Sequence, residues 1–487
     1  VIKGGITVKT NRIIGLFIVL VVLAGVLVAC GGNDAPSQPA ATSPQANQPA
    51  PTTPPGTPAE APSPADANRS RPAAPITIGH TPSLTGAFAL LGQAAENGVR
   101  LALEWEDRED DFNLIVEDSQ GNAEVIVTLL DLLRHRDDAR IIIGATLGGE
   151  GLASANWLMD NQDVLFMPSY SAPQDLTMRN WSNSMVRAGF TGNQTMFNFG
   201  AYVAQELGHT NLVIVGADYA FPWSQAAGFT RGFLENGGEN IERVWYPMGN
   251  LDFSSIMINL IELSRDNDAV LIVDGGASVL AFLSAWEAFG LDTFYDDLFG
   301  GTNITFPFVL EQLPPSFEGL LTATHYWYAN PSPINQEFTR RYIERFGILP
   351  DPVAVQTFDT MRAIIRALES LDWDYQNTEA LIRAVTALTI DDSPRGSFSF
   401  DDWHMAVQDV FITETYLGAN GVMTTRLVTV FENVSQFGPY VGFETEYMSM
   451  PVDARDYPPG NRAEYLADLA QHFGQEWVDA LIARGGW

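Results

Sequence analysis

From Ile76 onward the chain alternates short β-like runs with longer stretches whose apolar residues recur at helical spacing. The first series predicts strands at Ile76–Ile78, Asn113–Glu117, Arg140–Gly144 and Val164–Met167, with helices at about Gly92–Trp105, Ala123–Arg134 and Gly151–Asn161. A second series predicts strands at Asn211–Gly216, Ile241–Tyr246 and Ala269–Val273, with helices at Ser224–Asn236, Ser254–Asp266 and Ala277–Phe289. Runs such as RIIIG and AVLIV lack the in–out alternation of a half-exposed sheet and suit sheets covered on both faces. Repeated strand–helix units in two series predict an α/β protein with two doubly wound parallel sheets. Ligands in such sheets bind outside the carboxyl ends of the strands, so candidate chemistry is sought in the loops there.

The pattern before Ile76 is of another kind. Lys3, Lys9 and Arg12 precede an apolar run from Ile13 to Ala29, the charged and apolar regions of a signal peptide over 1–29. The competing reading is a short membrane anchor. The run ends in Leu27-Val28-Ala29-Cys30, which resembles the bacterial lipobox, and Cys30 is the one cysteine of the chain. Diacylation there would make a membrane-anchored lipoprotein on the extracytoplasmic face, since each buried CH₂ contributes ~0.8 kcal/mol and two or more chains anchor stably. Residues 30–75 are rich in Pro, Ala, Ser and Thr, carry no aromatic side chain and read as a tether without a core. Arg71-Pro72-Ala73-Ala74-Pro75 within it also matches a P-x-x-P docking motif.

Charge and composition remove several functions. The formal charge is −33, and once the first 29 residues are gone 23 arginines face 59 acidic residues. Such a surface repels phosphate backbones, so no nucleic-acid partner is expected. One cysteine allows no disulfide framework. The six histidines show no metal spacing, and neither a phosphate-binding loop nor a G-x-S-x-G elbow is present. No enzyme activity, cofactor or metal is expected. The pairs Asp391-Asp392 and Asp401-Asp402 read as solvated loop charges.

Several segments, in order, resemble the leucine/isoleucine/valine-binding family of periplasmic binding proteins, receptors of branched-chain amino-acid and amide ABC importers. Ile78-Gly79-His80-Thr81-Pro82-Ser83-Leu84-Thr85-Gly86 is similar to the family's first strand and P-L-T-G loop. Pro168-Ser169-Tyr170-Ser171-Ala172-Pro173 resembles its S-P-x-x-T-x-P loop, Asp218-Tyr219-Ala220-Phe221 its D-Y-A-aromatic loop, and Asp252-Phe253-Ser254 its D-F-S. The resemblance runs from Ile76 to about Val430. It implies a type I periplasmic binding fold whose lobes, 76–190 plus 325–395 and 191–324 plus 396–440, are joined by three strands near 188–194, 323–326 and 390–397. Residues 441–487 form an extension that packs on a lobe or docks a partner.

The resemblance also implies a site. Gly148 and Gly149 open a helix where the family often has serines, so only backbone donors carry over to clamp a ligand carboxylate. Ser169, Tyr170 and Ser171 match positions contacting the same ligand end, Ser171 most strongly. From the second lobe Tyr219 and Phe221 supply an aromatic wall, while Pro222 replaces the usual Gly. Asp274 follows the AVLIV strand, and Thr302-Asn303 falls where amino-acid binders place an acidic partner for the ligand ammonium. The expected function is capture of a small polar organic solute by a monomer that delivers it to ABC permease subunits. The alternative is a sensory module docking a membrane receptor. An uncharged or singly charged solute is expected over leucine, isoleucine or valine, because no carboxylate sits at 302–303.

Overall fold

A computed structural model describes residues 70–451 and 457–484; Cys30, the signal-peptide region and most of the tether lie outside them. The first sheet is parallel, in the order β2-β1-β3-β4, with β1 Ile76–Thr81, β2 Phe112–Val116, β3 Ile141–Gly144 and β4 Leu165–Pro168. Helices α1 (Ala89–Trp105), α2 (Ala123–His135) and α3 (Gly148–Leu158) connect them. Asn122 caps α2, its side chain accepting from the amides of Glu124 (2.8 Å) and Val125 (3.1 Å), which fixes where that helix starts. The missing alternation in the RIIIG run now has its cause. Ile141 and Ile143 enter one apolar core with α1, whereas Ile142 enters another with α2 and α3.

The second sheet holds eight strands, seven in the order β10-β11-β9-β8-β7-β5-β6, with β12 paired to β11. Its parallel part is β5 Asn211–Ala217, β6 Asn240–Tyr246, β7 Ala269–Val273, β8 Asp297–Gly300 and β9 Leu321–Thr324. The helices are α4 (Gly192–Gln205), α5 (Ala220–Glu235), α6 (Ser254–Leu263), α7 (Ala277–Phe289) and the single turn α8 (Pro307–Leu310). Val213, Val215, Val270 and Ile272 face one core, and Leu212, Ile214, Leu271 and Val273 face the other. On the second face α5 lies almost backbone to backbone on α4. A Cβ at Gly232 would stand 1.9 Å from the Phe197 carbonyl oxygen, so the crossing needs glycine there.

The chain then returns to the first sheet through α9 (Pro333–Phe346), α10 (Pro352–Ser370) and α11 (Thr378–Thr386). It crosses again to add β10 Phe398–Phe400 and the long hairpin β11 Ala406–Leu417 and β12 Met423–Val434, all antiparallel to their neighbours. The second sheet is therefore mixed, not wholly parallel as the strand–helix pattern alone suggested. The crossings are tied together by buried polar groups. Arg395 donates to Asp359 of α10 (2.9 Å) and to the Ala188 carbonyl, while Gln408 of β11 donates to the Gly189 carbonyl (2.6 Å). His325, on the second crossing, stacks on Phe190 of the first at 4.2 Å.

The end of the segment expected to be a tether is docked on the body. Arg71 pairs with Asp107 (3.0 Å) and Asp111 (3.2 Å), and the Ser70 carbonyl accepts from Arg108 (3.2 Å) and Trp373 (3.0 Å). The end of the expected tether, including the arginine of its P-x-x-P, is thus part of the folded body. The C-terminal extension forms α12 (Glu444–Ser449), α13 (Arg462–Phe473) and α14 (Gln475–Arg484) and packs on the second sheet's outer core. Tyr440 and Tyr465 close over Arg231 at 3.2 Å each, and both phenols donate to Glu235 of α5. Among the described residues no helix is long and apolar enough to cross a membrane.

Candidate functional site

Loops from the carboxyl ends of both sheets face one another across a narrow cavity. The first-sheet side supplies Phe88 and Leu91 at the start of α1, Thr146, Leu147 and Gly148 after β3, and Tyr170 and Ala172 after β4. The second supplies Tyr219 and Phe221 at the start of α5 and Asn303 after β8. The Tyr170 phenol donates to Asn303 Oδ1 (3.3 Å), a hydrogen bond that spans the cleft. Burial holds that phenol well above its ordinary pKa, so it stays a neutral donor. Phe190 lies behind the aromatic wall, 5.0 Å from the Tyr170 ring and 6.3 Å from Phe221. The free space within it is about 20 Å³, room for a single water.

Of the residues singled out from sequence, Gly148, Tyr170, Tyr219, Phe221 and Asn303 line this cavity. The others lie outside the lining. Gly149 is on the exposed side of α3. Ser169 and Ser171 are buried beneath the β4 loop, their hydroxyls without a hydrogen-bond partner among the described residues. A Cβ at Gly151 would fall 2.1 Å from Ser171 Oγ, so that hydroxyl packs under the first turn of α3. Thr302 accepts from Gln225 (2.8 Å) and is tied into the helices behind the wall. Asp274 is 3% exposed and fully engaged by the Gly275 amide (2.7 Å), the Tyr246 phenol (2.5 Å) and Ser278. Burial pushes its carboxyl up, against the pull of those donors.

Glu150, given no role by the sequence, holds the first-sheet rim together. It is fully buried, and its Oε2 accepts from the backbone N–H of Leu147 (2.8 Å) and Thr146 (3.1 Å) and from the Ser83 hydroxyl (3.2 Å). Ala145 precedes them with φ +62°, a left-handed conformation rare outside glycine that turns both amides toward the carboxylate. Burial raises the Glu150 carboxyl, and its hydrogen bonds pull the other way. The sequence carried half a signal: a Glu three residues after the cap is the return arm of a capping box, but Leu147 replaces its Ser or Thr. Phe88, Leu91, Thr146 and Leu147 also line the cavity and left no signal in the sequence, and Ala172, inside the Pro168–Pro173 motif, was given no role there.

A larger groove of about 450 Å³ lies at the amino end of β8, lined by Trp286, Asp292, Tyr295, Asp296 and Glu318 among others. It takes no residue from the first sheet and is separate from the cleft. Among the described residues no three His, Cys, Asp or Glu side chains are placed to hold a metal ion.

Residues 75–419 match the family model described as periplasmic binding protein. A Leu/Ile/Val-binding protein homolog of Brucella melitensis is 28% identical over 252 residues, 51% of this chain and 63% of the relative, so the match spans under two thirds of that relative's length. An ABC transporter substrate-binding protein from Sphaerobacter thermophilus superposes with TM-score 0.70 at 27% identity, over 74% of this chain and 99% of that one. A solute-binding protein of an ABC transporter from Rhodopseudomonas palustris, solved with 3,4-dihydroxybenzoic acid, shares the fold with TM-score 0.69 at 23% identity, over 74% of this chain and 98% of that one. The chain belongs to the periplasmic binding protein family.

Proposed function

We propose that the chain is an extracytoplasmic solute-binding protein that captures a small organic solute between its two sheets and presents it to the permease subunits of an ABC importer. The observation that carries this reading is a cavity walled from both sheets at the carboxyl ends of their strands, bridged by Tyr170 and Asn303. The likeness to the Sphaerobacter substrate-binding protein and to the Brucella homolog supports it. The moving bodies are 76–190 plus 325–395 and 191–324 plus 396–440, hinged at three crossings. Lipidation at Cys30 holds the monomer at the membrane, and binding leaves the solute unchanged. Four aromatic rings among ten lining residues suit a solute with an apolar or aromatic body.

A zwitterionic amino acid suits the cavity poorly. Its ammonium needs a partner, since burying an unpaired charge costs several kcal/mol. Thr302 and Asn303 are uncharged, and the oxygens of Asp274 are already taken. The test is a thermal-shift screen of the full chain across amino acids, amides, urea-like compounds, amines and aromatic acids. A solute at 100 times its Kd adds ~2.7 kcal/mol of stability. At least one non-zwitterionic solute is expected to raise the melting temperature and to be recovered unchanged. Leucine as the tightest binder would overturn the ligand class, and chemical conversion of the solute would overturn the binding-only reading.

A further inference from the structure

The turn Gln174–Thr177 follows the wall residues Tyr170 and Ala172 and belongs to the first of the two bodies. Side chains at its end go to different cores. Leu176 is buried with α2 and α3 on the first sheet, whereas Met178 joins Phe437, Tyr440 and Tyr447 in the outer core of the second. Thr177 donates to Gln436 Oε1 at 2.7 Å, and the Tyr447 phenol of α12 donates to Gln174 Oε1 at 3.4 Å. All four of these polar residues are buried. They join the first body to the segment in which the C-terminal extension begins.

The extension itself is fixed to the second body. The Arg231 guanidinium of α5 lies over the rings of Tyr440, Tyr447 and Tyr465, at 5.6, 5.2 and 5.8 Å from their centres. The Ile241 N–H of β6 donates to the Gly460 carbonyl (2.9 Å), and Asn193 of α4 donates to the Gln436 carbonyl (2.9 Å). The extension is thus fastened to the second sheet and grips the first. That grip is at the cleft rim. Pro173, next to the turn, sits where α3 and α5 begin: a Cβ at Gly148 would stand 3.1 Å from Pro173 Cγ and 3.3 Å from Ala220 Cβ. Parting the sheets there draws Met178 from an apolar core and separates Thr177 from Gln436, and both changes oppose opening.

Taking the parting of the two bodies in the proposed function as given, we infer that the segment Gln436–Tyr447 is a clasp that holds the cleft closed. Met178 and Thr177 are its catch on the first body. The clasp acts before any solute arrives, and it sets how often the cleft opens to admit or release one.

The experiment measures opening without solute, in the full-length chain with Cys30→Ala so that an introduced thiol is the only one. Ala172→Cys places that thiol on the cavity wall, and in a second protein Ala102→Cys places it inside α1, where there is no exposed surface. Alkylation by iodoacetamide, slow relative to closing, reports the open fraction at the wall and the unfolded fraction in α1. At the wall, Thr177→Val is expected to speed alkylation at least about threefold and Met178→Ala at least about tenfold. Met178→Leu, which keeps the apolar catch, is expected to leave the parent's rate. Unchanged wall rates in Thr177→Val and Met178→Ala overturn the clasp, and so does equal acceleration at the wall and in α1. If Met178→Ala fails to fold, Thr177→Val alone decides. A parent wall site alkylated no faster than the α1 site means that the cleft does not open, which overturns hinged capture and the clasp together. A wall site that does open, with no hit in the thermal screen, overturns solute capture and leaves the clasp standing.

Discussion

His80 has no exposed surface; it lies on β1, and its Nδ1 faces the Ile143 carbonyl at 2.9 Å. Burial lowers its pKa to about 4, against the raising effect of that hydrogen bond. An unfolded chain titrates near ~6.5, so between that value and about 4 the unfolded state binds a proton that the native state refuses. Stability from this residue is therefore full above the unfolded value and falls as pH drops through the window, by up to ~1.4 kcal/mol per pH unit. The buried carboxyls Glu150, Glu235 and Asp274 are shifted up and act in the opposite sense, so the comparison must be made between parent and variant. Urea midpoints measured from pH 7 to pH 5 should fall more steeply for the parent than for His80→Gln; identical slopes would contradict the assignment. None of this was legible in the sequence beyond the absence of metal spacing. His80 and His325 sit between polar neighbours, Gly-His-Thr and Thr-His-Tyr, and only the assembled fold seals them.

Elements built on apolar runs were legible, and elements built on context were not. The strands β1 to β7 stand where their β-like runs put them, β3, β5 and β7 on near-unbroken Val, Ile and Leu, and their starts and ends move by a few residues at most. The helix α5 begins at Ala220, earlier than expected, because Pro222 is tolerated in the first turn, where its missing N–H has no intrahelical partner anyway. The helix α4 left no periodic signal since it is buried on nearly all sides, from Gly192 to Ala201 without a break. Its cap was readable in principle: Thr191 and Gln194 form a capping box, with Gln194 N–H donating to Thr191 at 3.1 Å. The strand β8 is four residues long, and the β11–β12 hairpin alternates imperfectly through two register shifts. The close α4–α5 crossing yields a direct test. Gly232→Ala puts a methyl against the Phe197 carbonyl and should cost ~1–3 kcal/mol, the usual range for overpacking. Urea unfolding of the variant measures it, and an unchanged midpoint would mean the two helices part without cost.

At the scale of the whole molecule, three crossings, a polar network around Arg395 and a shared wall of aromatic side chains join the two sheets. About 20 Å³ of free space admits a water, whereas sites for organic solutes usually measure ~300–1,000 Å³, so the proposed capture requires the two sides of the cleft to part. In the proposed opening the crossings near 188–194 and 390–397 bend, since both run between the sheets. The doubly wound plan and the side of the sheets on which to look were legible from strand–helix repeats. Which loop residues reach the cavity was legible only in part. Tyr170, Phe221 and Asn303 come to the wall, while Ser169 and Ser171 turn beneath it, because the backbone after β4 points alternate side chains to opposite sides. The central claim, that a solute is held in this cleft, is tested most directly by calorimetric titration of the tightest solute from the thermal screen into the parent, Tyr170→Ala and Phe221→Ala. Losing an aromatic wall at the centre of a buried site costs ~2 kcal/mol or more, so each variant should bind at least about thirtyfold more weakly while melting cooperatively. Both variants binding with the parent's affinity would place the solute elsewhere and contradict the account.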